Sequence, residues 1–310
     1  MAFEIVQAGM LSLIQDNGRN GYAELGLTQG GPMDPLSFYW ANRLCSNPLE
    51  ASSVEVTFGG LQLVCHQDCT IAITGAPLKV LLDDQAMPMW SSFTVKAGQK
   101  LELGHPAKGV RSYLAVSGGF KIKPQFGSTS TVVREQIGGL AGKALAKGDR
   151  LPGEGQIQPH QMLPFAYRPK FSQQITLRLI AGYQQKLFSS QQKRRLFNSE
   201  YRVTDQCDRM GYRLSGEKVN ASSQQLVSEG ICLGAVQFPA DGQPIVMMND
   251  HQTIGGYPKM GAVLSLDLAQ LAQCQRGAIV RFVAVEIGEA QQLLKEQFDK
   301  IRQQALVPVS

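Results

Sequence analysis

Three short runs in the second half of the chain gather side chains suited to directed polar contacts. They are Asp208-Arg209-Met210-Gly211-Tyr212-Arg213-Leu214, Gln237-Phe238-Pro239-Ala240-Asp241-Gly242-Gln243-Pro244 and Gly255-Gly256-Tyr257-Pro258-Lys259. An apolar stretch between the second and third ends at Asn249-Asp250. Arginine and tyrosine present hydrogen-bond donors, and glycine lets a backbone approach a ligand closely. Each run taken singly also reads as a turn between strands. Three of them in one half point to a site.

Other signals fail on their spacing. Gly138-Gly139-Leu140-Ala141-Gly142-Lys143-Ala144 is one residue short of a phosphate loop, with Ala144 where a hydroxyl is needed. Cys65-His66-Gln67-Asp68-Cys69 lacks the second ligand pair of a zinc site, so no metal is expected. No Gly-x-Ser-x-Gly elbow is present, and His66, His105, His160 and His251 form no recognisable hydrolase set. Gly127-Ser128-Thr129-Ser130-Thr131 offers hydroxyl and backbone donors to an anion, or is simply a polar turn.

The elements that must position these residues are mostly strands. Period-two alternation marks Thr70–Thr74, Val80–Leu82, Lys100–Leu103, Ile175–Leu179 and Ile279–Val285. Helices are fewer. Asp34-Pro35 reads as an N-cap and first helical residue, opening a helix through Phe38, Ala41 and Leu44. Another is expected from Lys186 to Phe197, and the tail from Glu289 spaces Leu294, Phe298 and Ile301 helically. Tyr113 reads as core, Asp16–Arg19 as a buried hydrogen-bonded turn, and Asp34 as a cap.

A length of 310 residues allows two domains, and the Pro- and Gln-punctuated stretch from Leu151 to Lys170 is the natural connection. The division expected is 1–165 and 166–310. Gly-turn echoes at Ala97–Leu101, Lys147–Leu151 and Arg276–Val280 suggest two similar all-β halves. Hydrophobic content of 43% with 18% charged residues describes a globular protein. The net charge of +5 is scattered, and Lys193-Arg194-Arg195 reads as a solvated helix face, which argues against nucleic-acid binding. With no signal-like start, no membrane-length apolar run and six cysteines in no disulfide pattern, a cytoplasmic protein is expected.

Taken in order, the motifs resemble a known family. Gln15-Asp16-Asn17-Gly18-Arg19, Gly31-Pro32-Met33-Asp34, Asn42, Glu55, Thr74-Gly75-Ala76, Arg111–Gly119 and Gly127-Ser128 carry its first half. Asp208–Leu214, Gln237, Pro239, Pro244 and Gly255–Lys259 carry its second. The chain resembles the family of the C subunit of prokaryotic 5-oxoprolinase, also described as allophanate hydrolase subunit 2 or KipA-type and related to biotin-dependent carboxyltransferases. It departs from the family pattern at Thr129 and Val132, in Gly127–Val132, and at Tyr183, in Gly182-Tyr183-Gln184.

The resemblance implies a mainly β fold with two cyclophilin-like β-barrel domains and a few short helices. It also implies cooperation with 5-oxoprolinase subunits A and B in the ATP-dependent opening of the 5-oxoproline lactam to L-glutamate, with no activity alone. ATP would sit on a partner or at an interface, and neither metal nor biotin on this chain. Such chemistry needs a grip on the substrate carboxylate, donors for a developing oxyanion and a proton-handling group. Arg209 or Arg111 would grip the carboxylate, Lys259 would meet negative charge, and Asp250 would act as base or orienting carboxylate. Tyr212, Tyr257 and Gln237 complete the expected substrate contacts. Two alternatives accompany this reading: a carboxyltransferase-type subunit acting on urea or another small amide, and a non-catalytic binding module antagonising a KipI-like kinase inhibitor.

Overall fold

A computed structural model describes residues 3–222 and 226–309. The chain forms two compact units, with the crossing at Phe171/Ser172. Two segments are exchanged. Gly21–Gln29 clusters with the second unit, and the residues from Gln303 onward cluster with the first.

The first unit distributes its strands between two sheets. One runs in the order Arg150–Leu151, Phe3–Ala8, Leu61–Cys65, Lys100–Leu103, Val80–Leu82, Gln85–Met87. The other runs Leu11–Gln15, Ser53–Thr57, Arg111–Val116, Cys69–Gly75, Ser92–Val95. Phe3, Leu63 and Leu101 from one sheet join Ile14, Val54, Ile71 and Leu114 from the other in a single apolar cluster. Each such side chain contributes roughly 1.5–3 kcal/mol on burial, enough in sum to hold the sheets together.

Alternation is lost where a helix covers the outer face of a sheet. Every residue of Cys69–Gly75 and of Arg111–Val116 is buried, because the helix Pro35–Leu44 packs on both strands. The Thr74 hydroxyl donates to the Ser37 carbonyl at 2.6 Å, satisfying a polar group on that covered face. The helix begins as its sequence signals: the Asp34 carboxylate accepts from Ser37 N at 3.1 Å, with Pro35 at the first helical position.

The second unit is a closed barrel of seven strands. Their order is Gln174–Ala181, Lys259–Val263, Ala235–Gln237, Ile245–Met247, Gly211–Ser215, Glu200–Cys207, Ile279–Ala284, and back to the first through a parallel pairing. Alternation holds over most of the first strand: Ile175, Leu177 and Leu179 are buried while Gln174 and Thr176 are exposed. Gly261 is required by close packing, since a Cβ there would stand 2.0 Å from the Ile180 carbonyl oxygen. A short ribbon, Glu229–Gly230 paired with Ile254–Gly255, stands outside the barrel ladder.

Two local expectations change. The helix expected from Lys186 is two pieces, a 3-10 turn over Tyr183–Leu187 and a helix over Ser190–Asn198. Ser189 breaks them by capping the second, accepting from Gln192 N at 3.3 Å. The stretch 151–170, expected as the connection, clusters with the first unit and ends at the crossing, and parts of it are bonded to that unit. Leu151 pairs with Phe3, Gln158 N donates to Thr70 Oγ1 and Leu163 N donates to the Trp90 carbonyl.

Candidate functional site

Lys259 opens a barrel strand directly after Pro258, and its surroundings are fixed from three directions. Its backbone N donates to Gln184 Oε1 at 2.9 Å. Its ammonium donates to Glu229 Oε1 and lies 3.4 Å from the Gly230 carbonyl oxygen. Gln184 Nε2 donates to the same Glu229 oxygen at 2.6 Å, and the Tyr183 hydroxyl donates to Glu229 Oε2. One carboxylate thus gathers an ammonium, an amide and a phenol. The Lys259 ammonium, followed by the Tyr183 hydroxyl, holds the Glu229 carboxyl below the usual carboxylate range. The same carboxylate pushes the Tyr183 phenol up.

This cluster edges a cavity of about 440 Å³. Its wall is apolar along Ile180, Ile231, Ala235 and Ala262, with Tyr183, Gln184 and Lys259 as its polar edge. The Lys259 side chain is 11% exposed, so its charge sits largely out of water, where electrostatic interactions are stronger. Tyr183 is 66% exposed, at the open side. A fixed cation and a phenol beside an apolar cavity suit a small polar molecule on whose oxygen negative charge develops.

The other residues singled out by sequence take different places. Arg209 and Asp250 are buried against each other: Arg209 Nε donates to Asp250 Oδ2 and Nη2 to Oδ1, both at 2.8 Å. Asp250 N also donates to the Arg209 carbonyl at 2.7 Å, so the pair latches the loop after Met248 to the turn before Gly211. Tyr212 is 1% exposed, with its hydroxyl 3.4 Å from the Ala272 carbonyl oxygen. Arg111 lies in the first unit, its Nε 3.9 Å from Glu55 Oε1, beside the hydrogen bond that Tyr113 donates to Glu55 Oε2. Gln237 and Tyr257 line a second cavity of the second unit, of about 460 Å³, which shares no lining residue with the first.

The hydroxyls of Ser128 and Ser130 are turned to Asp16, donating to its Oδ1 at 2.6 and 2.7 Å, and Thr129 N donates to Oδ2 at 2.7 Å. Arg19 is tied to the same loop through the Gln125 and Ser130 carbonyls. Cys65 and Cys69 face each other with sulfurs 4.0 Å apart. Among the described residues no group of three His, Cys, Asp or Glu side chains is placed to hold a metal. Nor is any helix long and apolar enough to cross a membrane.

Glu229, the centre of the Lys259 cluster, escaped the sequence reading. It is a single acid between Ser228 and Gly230, with no spacing that ties it to a lysine 30 positions later. Its neighbour Gly182-Tyr183-Gln184 did carry a signal, as a departure from a family pattern.

Residues 25–284 match the family described as carboxyltransferase domain, subdomain A and B. A protein of Escherichia coli K12 named as the C subunit of 5-oxoprolinase is 36% identical, over 95% of this chain and 94% of its own. One of the same name from Haemophilus influenzae is 33% identical, over 96% of this chain and 97% of its own. Among solved structures, the Kluyveromyces lactis urea amidolyase superposes on all of this chain with a TM-score of 0.91 and 27% identity. The chain spans only 20% of that larger enzyme. With the mainly β fold and these end-to-end similarities, the chain belongs to the carboxyltransferase subdomain A and B family, alongside proteins named as C subunits of 5-oxoprolinase.

Proposed function

We propose that this chain is one subunit of an ATP-dependent 5-oxoprolinase, acting with companion subunits A and B to open the 5-oxoproline lactam to L-glutamate in the cytoplasm. The observation that carries this reading is the 36% identity, across nearly the full length of both chains, with a protein named as a 5-oxoprolinase subunit. The Lys259 cavity supplies the fitting chemistry. A lactam carbonyl is a poor electrophile because nitrogen donation stabilises it, so ring opening gains from a cation and a hydroxyl aimed at its oxygen. Lys259 provides the cation through the N–H that Glu229 and Gly230 leave over, and Tyr183, whose proton goes to Glu229, would meet the oxygen only by releasing that bond. Arg209 and Asp250 act in this reading as a latch that holds the neighbouring loops.

In this reading ATP sits on a companion subunit or at an interface. The Gly138–Lys143 run folds back on itself, with Gly142 N donating to the Gly138 carbonyl at 2.7 Å, and the next element is the strand Arg150–Leu151. It lacks the helix N-terminus that cradles phosphates in a phosphate loop.

The test is 5-oxoproline-dependent ADP release by this protein mixed with subunits A and B, omitting each in turn. Activity is expected only from the full mixture, and Lys259→Met should lower kcat by roughly 10²–10³-fold if its ammonium meets the developing charge. Turnover without this chain, or full activity of Lys259→Met, overturns the respective part. A second reading, carboxyl transfer to urea or another small amide, draws on the likeness to the urea amidolyase structure. Urea-dependent turnover with a biotin carboxylase, and none with 5-oxoproline, would favour it.

A further inference from the structure

The second cavity of the barrel unit carries an unmet hydrogen-bonding demand. Gln237 is 2% exposed, yet its side-chain Nε2 is buried without a hydrogen-bond partner. Leaving a buried donor unsatisfied costs roughly 1–3 kcal/mol, a penalty that a ligand oxygen would remove once the carboxamide turns towards the cavity that Gln237 lines. Gly255 leaves the carboxamide room to turn. A Cβ there would come 2.6 Å from Ile231 Cδ1, 3.0 Å from Gln252 Nε2 and 3.3 Å from Gln237 Nε2, crowding both carboxamides. Tyr257, 49% exposed, adds a phenol to the same lining.

The charge at this cavity has the opposite sense to that at Lys259. Asp205 and Asp208 are exposed at its edge. The cation in its lining, Arg213, is engaged by Asp241. Asp205 has a distant, exposed partner, Arg276, at 4.0 Å. A buried amide donor under an acidic rim favours a molecule with an acceptor oxygen at one end and a positive charge at the other. Ile245 and Met247 supply apolar wall between the two. A volume of about 460 Å³ accommodates such a molecule.

We infer that this cavity is a second small-molecule site that takes an α-amino acid, its carboxylate turned to Gln237 and its ammonium to Asp205 and Asp208. The site is separate from the Lys259 cavity and stands whether or not the chain serves a 5-oxoprolinase. L-Glutamate, the ring-opened product in that reaction, falls within the ligand class, whereas 5-oxoproline lacks the free ammonium.

Isothermal titration of the full chain, without ATP or companion subunits, tests the inference. The probes are L-glutamate, L-glutamine, glutarate (which lacks the amine) and 5-oxoproline. The two amino acids should bind with Kd at or below about 1 mM and glutarate at least roughly tenfold more weakly, as should 5-oxoproline when titrated into Lys259→Met, where the other cavity no longer offers its cation. Gln237→Met, which keeps the volume and deletes the donor, should weaken the amino acids by roughly tenfold or more. Asp208→Asn retains a side-chain oxygen for the turn to Met210 N and Gly211 N but removes the charge. It should weaken the amino acids several-fold without weakening glutarate. Because Asp208 is exposed, this variant carries the test if Gln237→Met fails to fold. Lys259→Met should bind as the parent does. No heat from either amino acid at about 10 mM, or no preference for them over glutarate, overturns the inference. Unchanged affinity in Gln237→Met and Asp208→Asn, or loss of binding in Lys259→Met, overturns it equally.

Discussion

Glu229 and Lys259 define each other's state. The carboxyl is depressed chiefly because Lys259 donates to it, so Lys259→Met should return the Glu229 pKa towards the ordinary carboxylate value. A carboxyl-carbon NMR titration reads this directly, and an unmoved Glu229 would mean that Tyr183 and Gln184 suffice. The Arg209–Asp250 pair makes a different prediction. Arg209→Met leaves a buried carboxylate uncompensated and should cost about 3–5 kcal/mol in urea unfolding. Removing both charges, as Arg209→Met with Asp250→Leu, should recover much of that loss. A pair kept for ligand binding alone would show no such asymmetry. Sequence reading named Arg209 and Asp250 separately because each type is versatile; nothing in the chain order shows that residues 41 positions apart meet. Glu229 was invisible for the same reason, since a hub is made by its partners' positions and not by its own neighbours.

At the scale of elements, the strands and the capped helix Pro35–Leu44 were legible because alternation and an N-cap are local signals. The 3-10 turn before Ser190 was not, since its apolar spacing mimics a continuing helix until Ser189 competes for the backbone donors. The Gly127–Thr131 loop is a case where the residues were legible and their partner was not. Its hydroxyls converge on Asp16. Burial raises that carboxyl's pKa, but hydrogen bonds from Ser128, Thr129 N, Ser130 and Gly18 N together bring it below 3.8. Such a group stabilises the fold above its unfolded value and loses that contribution as pH falls through its lower folded value. Asp16→Asn should therefore cost about 1.5–3 kcal/mol at neutral pH and flatten the stability profile below about pH 4. Chemical denaturation across that range checks it, and a profile parallel to the parent's would show that Asp16 is not the titrating group.

On the whole-molecule scale, composition and turn density gave the mainly β class, and the ordered motifs gave the family. The exchanged segments were beyond reach, because nothing in Gly21–Gln29 or in the residues after Gln303 marks them as belonging with the distant part of the chain. The pairing of Gln161–Met162 with Val307–Pro308 ties the last of these to the first unit, reinforced by the bond from Val309 N to the His160 carbonyl. Truncation after Gln304 should thus quicken amide exchange around Met162 and Trp90 while leaving the barrel strands protected, a pattern that hydrogen-exchange mass spectrometry resolves. The exchange also sets an order of events during synthesis. Residues emerge from the ribosome in sequence, so the first unit's closing strand pair waits until the whole barrel has been made. Gly21–Gln29, made before any strand of the barrel, must stay unplaced until His251, whose carbonyl receives the Thr28 hydroxyl, has appeared. Neither unit can finish on its own schedule, and a stalled chain would expose the unfinished edge of each to chaperones.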